Sequence, residues 1–458
     1  MTDGQLKAAA PVPFVRSLGV VGVLFLTLSV TTPASSVFVI MPGMLQEAGT
    51  GAVWATLAAA IVCIVTAYIY AELASAWPVA GGEYVMVAHT LGPLAGFVML
   101  GINVFNNLIF LPVAALGIRE VLAGVIPGLP QVGTAIVVVG LCTLVGLLNI
   151  RVNALVTGIF LLLEITLLVA VSALGFVHAQ HAPLTFLTHP IGANGGPVSL
   201  TSIGVAASIA IFAFNGYGAA VYFGEEMHEA PRRIARSIML ALVYTLALEG
   251  VPLLAALVGA VDLQALLASP NPFGDLVATL AGPRAAQVVA LGVALAIVNA
   301  IIAWVLACAR FFYGTGRDAS WGRPLDRWLT VTHPRWGSPW AGTLLVGAVG
   351  MALCFVDLKQ LEILSGAGLI VIYLGIALAA VVARRTGKTG RVGYRMPLYP
   401  LAPIVTFVAL AGITWATWLD PDEGRPALLA TAVQIAAAAA YYWFVLRRRG
   451  AWTVHVPD

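Results

Sequence analysis

Charge is what this sequence has least of. Of its 458 residues only 9% are Asp, Glu, Lys or Arg, and 60% are hydrophobic. An ordinary soluble domain carries roughly 25% charged residues. With 23 basic and 20 acidic residues, a chain of this length cannot cover itself with a water-facing surface. The bilayer is the expected solvent, and spanning its hydrocarbon of about 30 Å takes roughly 20 helical residues. Cysteine is also scarce. Cys63, Cys142, Cys308 and Cys354 all sit in apolar runs, without metal-ligand spacing or a loop position suited to a disulfide, and read as small core residues. A net charge of +3 gives no reason to expect a nucleic-acid partner. The fragment Gly387-Lys388-Thr389-Gly390 lacks the spacing and strand context of a phosphate-binding loop. With no nucleophile–base pair, zinc motif or haem motif in view, neither an enzyme nor a bound cofactor or metal is expected. The polar N-terminus and the long run after it lack the features of a cleavable signal, so that run is expected to be retained.

What the sequence has is apolar runs. They fall near 17–45, 52–76, 94–122, 131–149, 154–177, 201–225, 237–260, 285–312, 340–356, 361–383, 401–419 and 426–446. The expected fold is therefore an all-α integral membrane protein of about twelve transmembrane helices. If the N-terminus faces the cytoplasm, nineteen of the Lys and Arg residues fall on the inner side, and only Arg119, Arg284, Lys359 and Arg425 fall outside. That bias places both termini in the cytoplasm of a cell whose inner membrane the chain crosses many times. The long loop between the fifth and sixth runs has three His and no Lys or Arg, which agrees.

Two runs carry interruptions. The first contains Thr31-Thr32-Pro33-Ala34-Ser35-Ser36, and the sixth contains Asn215-Gly216-Tyr217-Gly218. Pro removes an N–H and clashes with the preceding turn; Gly costs about 1 kcal/mol in a helix interior. Non-helical backbone at membrane depth survives only where protein or a wet cavity satisfies its polar groups. Interruptions at matching positions of two halves point to an internal repeat of five plus five helices, with the ligand site between them. The half-helix beginning at Ser35-Ser36-Val37 would then offer amide donors and partial positive charge to a ligand. A packed proline kink stitched by Ser and Thr is the competing reading of the first run.

Three stretches resemble the amino acid–polyamine–organocation permeases: Tyr68 to Pro93 with Pro-x-x-Gly-Gly-Glu-Tyr and Leu-Gly-Pro, Phe212 to Ile238 with paired Glu before Pro-Arg-Arg, and Ala303 to Ser320. The resemblance implies a LeuT-like inverted repeat, alternating access, and coupling to sodium or protons. The core would run over 17–383, with repeats over about 17–177 and 201–383. Two further helices would follow over 401–446, between cytoplasmic tails at 1–16 and 447–458. It places substrate-facing candidates at Thr32, Pro33, Ala34, Ser35 and Ser36, at Phe212, Phe214, Asn215 and Gly216, and at Asn106, Asn107 and Trp304. The usual glycine of the first break is Ser36 here, which narrows the approach of a carboxylate. Gly218 stands where several relatives carry an acid.

Polar residues at membrane depth complete the set. Glu164, mid-way along the fifth run, is expected to serve proton coupling or to compensate a cationic substrate; a Glu hydrogen-bonded to a neighbouring helix is the bland alternative. Glu249, near Gly250 and Pro252, reads as a residue that stitches a kink. Glu72, Glu225 and Glu226 are expected to pair with inner-loop Arg residues as a gate or clamp, and Tyr217 is a gating candidate. Asn103, Asn106 and Asn107 could bind a solute or other helices. Trp304 and Phe212 could hold an ammonium through their faces, and Ser365 is a further lining candidate. The expected function is secondary transport of an amino acid, with a proton rather than sodium as coupling ion. Amine or polyamine transport on the same fold is the second reading, and a membrane solute sensor is a reading from another class. The partners are a small amine-bearing solute and the lipid bilayer; oligomeric state is open.

Overall fold

The computed structural model describes residues 16, 18–147, 150–333, 337–390, 393–450 and 452–455, and within 150–156 only the backbone path. The tail over 1–16 thus lies almost wholly outside the described residues. So do Arg335, Arg391 and the side chain of Arg151.

Each of the twelve apolar runs is helical. Segment 1 covers 20–48, segment 2 Ala52–Ala76, segment 3 Pro93–Leu122 and segment 4 Gln131–Gly146. Segment 5 is Ile150–Val177, segment 6 Leu200–Glu226, segment 7 Ala230–Gly259 and segment 8 Pro283–Arg317. Segment 9 is Trp340–Leu353, segment 10 Leu358–Arg385, segment 11 Leu401–Leu419 and segment 12 Gly424–Arg449. Among the described residues nine stretches are long and apolar enough to cross a membrane; the 57 residues from Val20 to Ala76 count as one of them. Segments 4 and 9, with 16 and 14 residues, are shorter than the usual span.

Helix is the form that oil permits, because each residue's N–H and C=O are satisfied within the segment. Side-chain hydroxyls follow the same rule. Thr27 donates to the Val23 carbonyl at 2.6 Å, Thr143 to Val139 at 2.7 Å and Ser172 to Leu168 at 2.7 Å. Proline starts segments 3 and 8, where its missing N–H costs nothing. Asp357 caps segment 10 by accepting from the Gln360 N–H at 3.1 Å. Large apolar side chains such as Leu141, Leu162, Val169, Val243, Val408 and Val433 stay exposed around the outside, a surface suited to lipid.

Segments 3, 6, 8 and 10 form the middle of the bundle. Segment 3 packs on 8, 10 and 12; segment 6 on 2, 10, 11 and the far half of 1. Segment 7 lies against 2 and 5, and segment 8 against 5 and 9. The molecule has two unlike ends. One gathers Arg317, Arg384 and Arg449; the other gathers Glu47, Glu120, Asp357 and Glu423 around Lys359. They are called the arginine-rich end and the acidic end below.

Candidate functional site

Segment 1 is interrupted one residue before its proline. Thr32 adopts a left-handed conformation, φ 44 and ψ 71, and ends the helix that began at Val20. Pro33–Ser35 makes one helical turn, Ser36–Ile40 winds as a wider π-helix, and an α-helix resumes over Met41–Ala48. The proline supplies the break by lacking an N–H; the strain is carried by Thr32, because a non-glycine residue at positive φ must be held there by its surroundings. The amides expected to stand free for a ligand are partly used within the protein. Ala34 N–H donates to Glu164 Oε1 at 2.6 Å, and Ser36 N–H to the Thr32 carbonyl at 3.1 Å. The Ser36 hydroxyl is likewise used within the protein: it donates to the Ala213 carbonyl at 3.1 Å, at the end of the first half of segment 6. The hydroxyls of Thr32 and Ser35 are buried without a hydrogen-bond partner among the described residues.

Segment 6 is interrupted where Asn and Gly predict it. Its α-helix ends at Ala213, and the chain resumes as a tighter 3-10 helix over Tyr217–Glu226. Gly216 has φ 115, and a Cβ there would lie 2.9 Å from the Thr31 Cα. Both facts demand glycine: the conformation, and the close approach of one broken backbone to the other. A Cβ at Gly218 would meet the Tyr70 ring at 2.8 Å. The space an acidic side chain would need is filled by that tyrosine.

Between the breaks and segments 3, 8 and 10 lies a cavity of about 20 Å³, room for about one water molecule. Of the substrate-facing candidates, Asn106, Asn107, Asn215, Gly216 and Trp304 line it. Thr32, Pro33, Ala34, Ser35, Ser36, Phe212 and Phe214 are all buried but do not line it. Asn103, a candidate for solute or helix contacts, lines it too, and so do Glu83, Tyr222 and Tyr373, which the sequence had not singled out as substrate-binding residues. Glu83 could have been found in the Gly-Gly-Glu-Tyr motif; Tyr222 and Tyr373 carry no signal beyond their place in apolar runs. Polar groups in this centre bind one another. Glu83 accepts from Tyr70, from Asn103 Nδ2 at 2.5 Å and from the Tyr222 hydroxyl at 3.2 Å. Asn106 donates to the Ser365 carbonyl at 3.1 Å and accepts from the Ser365 hydroxyl at 2.9 Å. Trp304 Nε1 donates to the Asn107 carbonyl at 2.6 Å, and its ring lies 4.9 Å from that of Phe110. Tyr373 O–H donates to Asn215 at 3.4 Å, and the buried Tyr217 ring lies 6.4 Å from that of Tyr373.

Glu164 is fully buried. One of its oxygens takes the Ala34 amide, and the other has no hydrogen-bond partner among the described residues. Glu249 sits on a helix that runs on through Pro252. It lies near Ser36 and Glu164. Two carboxyls, with no ion-pair partner among the described residues, thus flank the first interruption from segments 5 and 7.

The remaining acids do pair with arginines. Glu72 takes three contacts from Arg384, at 2.5, 2.9 and 3.1 Å, and accepts from Thr389 and the Met396 N–H, both at 2.8 Å. Glu225 binds Arg317 at 2.9 Å and the Ala80 N–H at 2.9 Å. Glu226 binds Arg310 at 2.8 Å, with both side chains buried. Asp318, just past segment 8, accepts from Tyr84 at 2.8 Å and from the His455 N–H at 3.2 Å. Burial raises its carboxyl above the usual range, while Arg317 at 3.7 Å opposes that rise. These bonds close the arginine-rich end, joining segments 2, 6, 8 and 10 to the loops beside them.

A bundle of long apolar helices, two of them broken face to face around a buried polar centre, is the architecture of a multi-pass membrane permease. Residues 18–445 match the amino acid permease family, and the chain belongs to that family of membrane permeases, which are transporters rather than enzymes. Among similar proteins, an uncharacterized transporter of Mycobacterium tuberculosis is 29% identical over 74% of both chains. The branched-chain amino acid permease of Bacillus subtilis is 22% identical over 77% of both. The low-affinity putrescine importer of Escherichia coli is 23% identical over 70% of this chain and 71% of its own.

Proposed function

We propose that this permease moves an amino acid across the cytoplasmic membrane by alternating access, with proton coupling through Glu164. One observation carries the reading: the Glu164 carboxyl is hydrogen-bonded to the Ala34 amide, inside the break of segment 1. A charge buried without a counter-ion costs several kcal/mol, so the carboxyl needs a proton or a cation. Its proton is then tied to the conformation of the break, and the break abuts Gly216 beside the polar centre. A centre with room for one water fits a state in which segments 1 and 6 have closed on themselves. Movement of those segments would open a site lined by Asn107, Asn215 and Trp304. A five-plus-five repeat, segments 1–5 and 6–10, supports this rocking because the breaks occupy its first members.

The test is uptake into proteoliposomes under an imposed proton gradient. Glu164→Gln keeps an oxygen for the Ala34 amide but cannot take up and release a proton. The expected result is uptake that no longer responds to external pH. Unchanged pH dependence in this variant would remove Glu164 from coupling.

A second reading, transport of an amine or polyamine, has its own support. The Ala34 amide and the Ser36 hydroxyl, which would cradle a substrate carboxylate, already have partners in the protein. The Escherichia coli relative is a putrescine importer by name. Thermal stabilisation of purified protein by a panel of amino acids and their decarboxylated amines separates the two. A membrane sensor would bind from the same panel without accumulating solute in sealed vesicles.

A further inference from the structure

The acidic end holds two neighbouring cavities, of about 190 and 270 Å³, that share Phe38, Glu120 and Pro270 in their walls. Most charged groups here are already matched. Glu120 pairs with Arg119 at 2.6 Å, Asp275 accepts from Ser269 at 2.5 Å, and Asp357 caps segment 10. Lys359 is held by Glu423 at 2.8 Å and Glu47 at 3.6 Å. Glu362 is the exception. It is 2% exposed, it lines the smaller cavity, and its Oε1 has no hydrogen-bond partner among the described residues. Segment 1 makes space for it with Gly43: a Cβ there would lie 2.9 Å from Glu362 Oε2. The ring of Phe38, 5.5 Å from that of Phe273, belongs to the same wall.

We propose that Glu362 and Phe38 form a binding site for an organic ammonium in this vestibule, separate from the polar centre. A buried carboxylate without a donor is costly, and a cation that supplies N–H groups removes the cost. An aromatic face adds cation–π attraction. The volume fits a small amine rather than a bare ion, and Glu47, Glu120, Asp357 and Glu423 outnumber Arg119 and Lys359 around the entrance, a net negative field that attracts cations. The site deepens the proposed transport of amine-bearing solutes by giving them a waiting position ahead of the closed centre.

The experiment reads the vestibule directly. Gln46 lines the same cavity, and the four native cysteines are buried, so Gln46→Cys reports access of a maleimide. n-Butylammonium chloride is compared with sodium chloride and sodium butyrate at equal ionic strength, on the full chain in nanodiscs. The expected result is labelling slowed about tenfold by the ammonium salt alone, corresponding to a well-populated site. Adding Glu362→Gln abolishes protection, while Glu362→Asp keeps part of it. Adding Trp304→Ala, in the centre, leaves protection intact. Protection that survives Glu362→Gln, that is lost with Trp304→Ala, or that never occurs overturns the proposal. Because labelling needs no net transport, a wild-type protein that fails to accumulate solute but shows Glu362-dependent protection refutes the transport reading and leaves this site standing.

Discussion

Single residues decide whether the two interruptions can meet. Gly216 sits at φ 115 against the Thr31 backbone, so Gly216→Ala meets both a disfavoured conformation and a clash. The expected loss is about 1–3 kcal/mol for the strained conformation alone, read as a lowered melting temperature in detergent, with uptake abolished. An alanine variant that melts and transports like wild type would mean the break is not held in this geometry. The glycine was legible as a helix breaker in the Asn215–Gly218 run. Its contact with Thr31 was not, because contact across 185 residues has no local signature. Glu164 shows the same limit. Its depth in an apolar run marked it as functional, yet only the fold brings its carboxyl to the Ala34 amide and so fills a donor that sequence reasoning had left for a ligand.

At the scale of elements, the arginine-rich end is fastened by acids at the ends of segments 2 and 6. The Glu226–Arg310 pair is the most buried of these bonds. Removing one partner of a buried pair costs about 3–5 kcal/mol because the other charge is stranded. Glu226→Gln is therefore expected to lower stability strongly. Glu225→Gln frees a partly exposed pair, and the expected effect is milder in stability but visible in access: a cysteine at Ala80, whose N–H Glu225 accepts, should label faster from the arginine-rich side. Equal labelling in wild type and variant would make the pair a structural tie with no part in closure. The pairing of Glu72, Glu225 and Glu226 with arginines was readable from position, since acids at the ends of apolar runs face the basic loops. The details of segment 1 were not. Pro33 advertises a break, but the left-handed turn falls on Thr32 and a π-helix follows, because neighbouring segments fix where the freed groups find partners.

Over the whole molecule, charge asymmetry sets orientation. Arginines crowd one end, and the other carries Glu47, Asp357 and Glu423 around Lys359. By the positive-inside rule the arginine-rich end is expected on the cytoplasmic side. Alkaline phosphatase fused after segment 12 is expected to be inactive, and fused in the loop between segments 5 and 6, active. The reverse pattern would invert the molecule and turn the Glu362 vestibule toward the cytoplasm. Lipid supplies the other global constraint. Branched apolar side chains remain exposed on the outer segments, and polar groups withdraw to the middle of the bundle or to its two ends.

The amino-acid sequence by itself determined the solvent, the helical runs and the existence of two breaks, since each follows from hydropathy or the backbone chemistry of Pro and Gly within one segment, and its charge bias sets the expected sidedness. Tertiary structure alone decided which polar groups are already taken: Ala34 by Glu164, Ser36 by Ala213, Asn106 by Ser365. It also decided which carboxyl oxygens lack a hydrogen-bond partner among the described residues, Glu164 Oε2 and Glu362 Oε1. The physical reason is that a hydrogen bond in oil is satisfied by whatever lies nearest in space, and packing of distant segments, rather than neighbourhood along the chain, sets that distance.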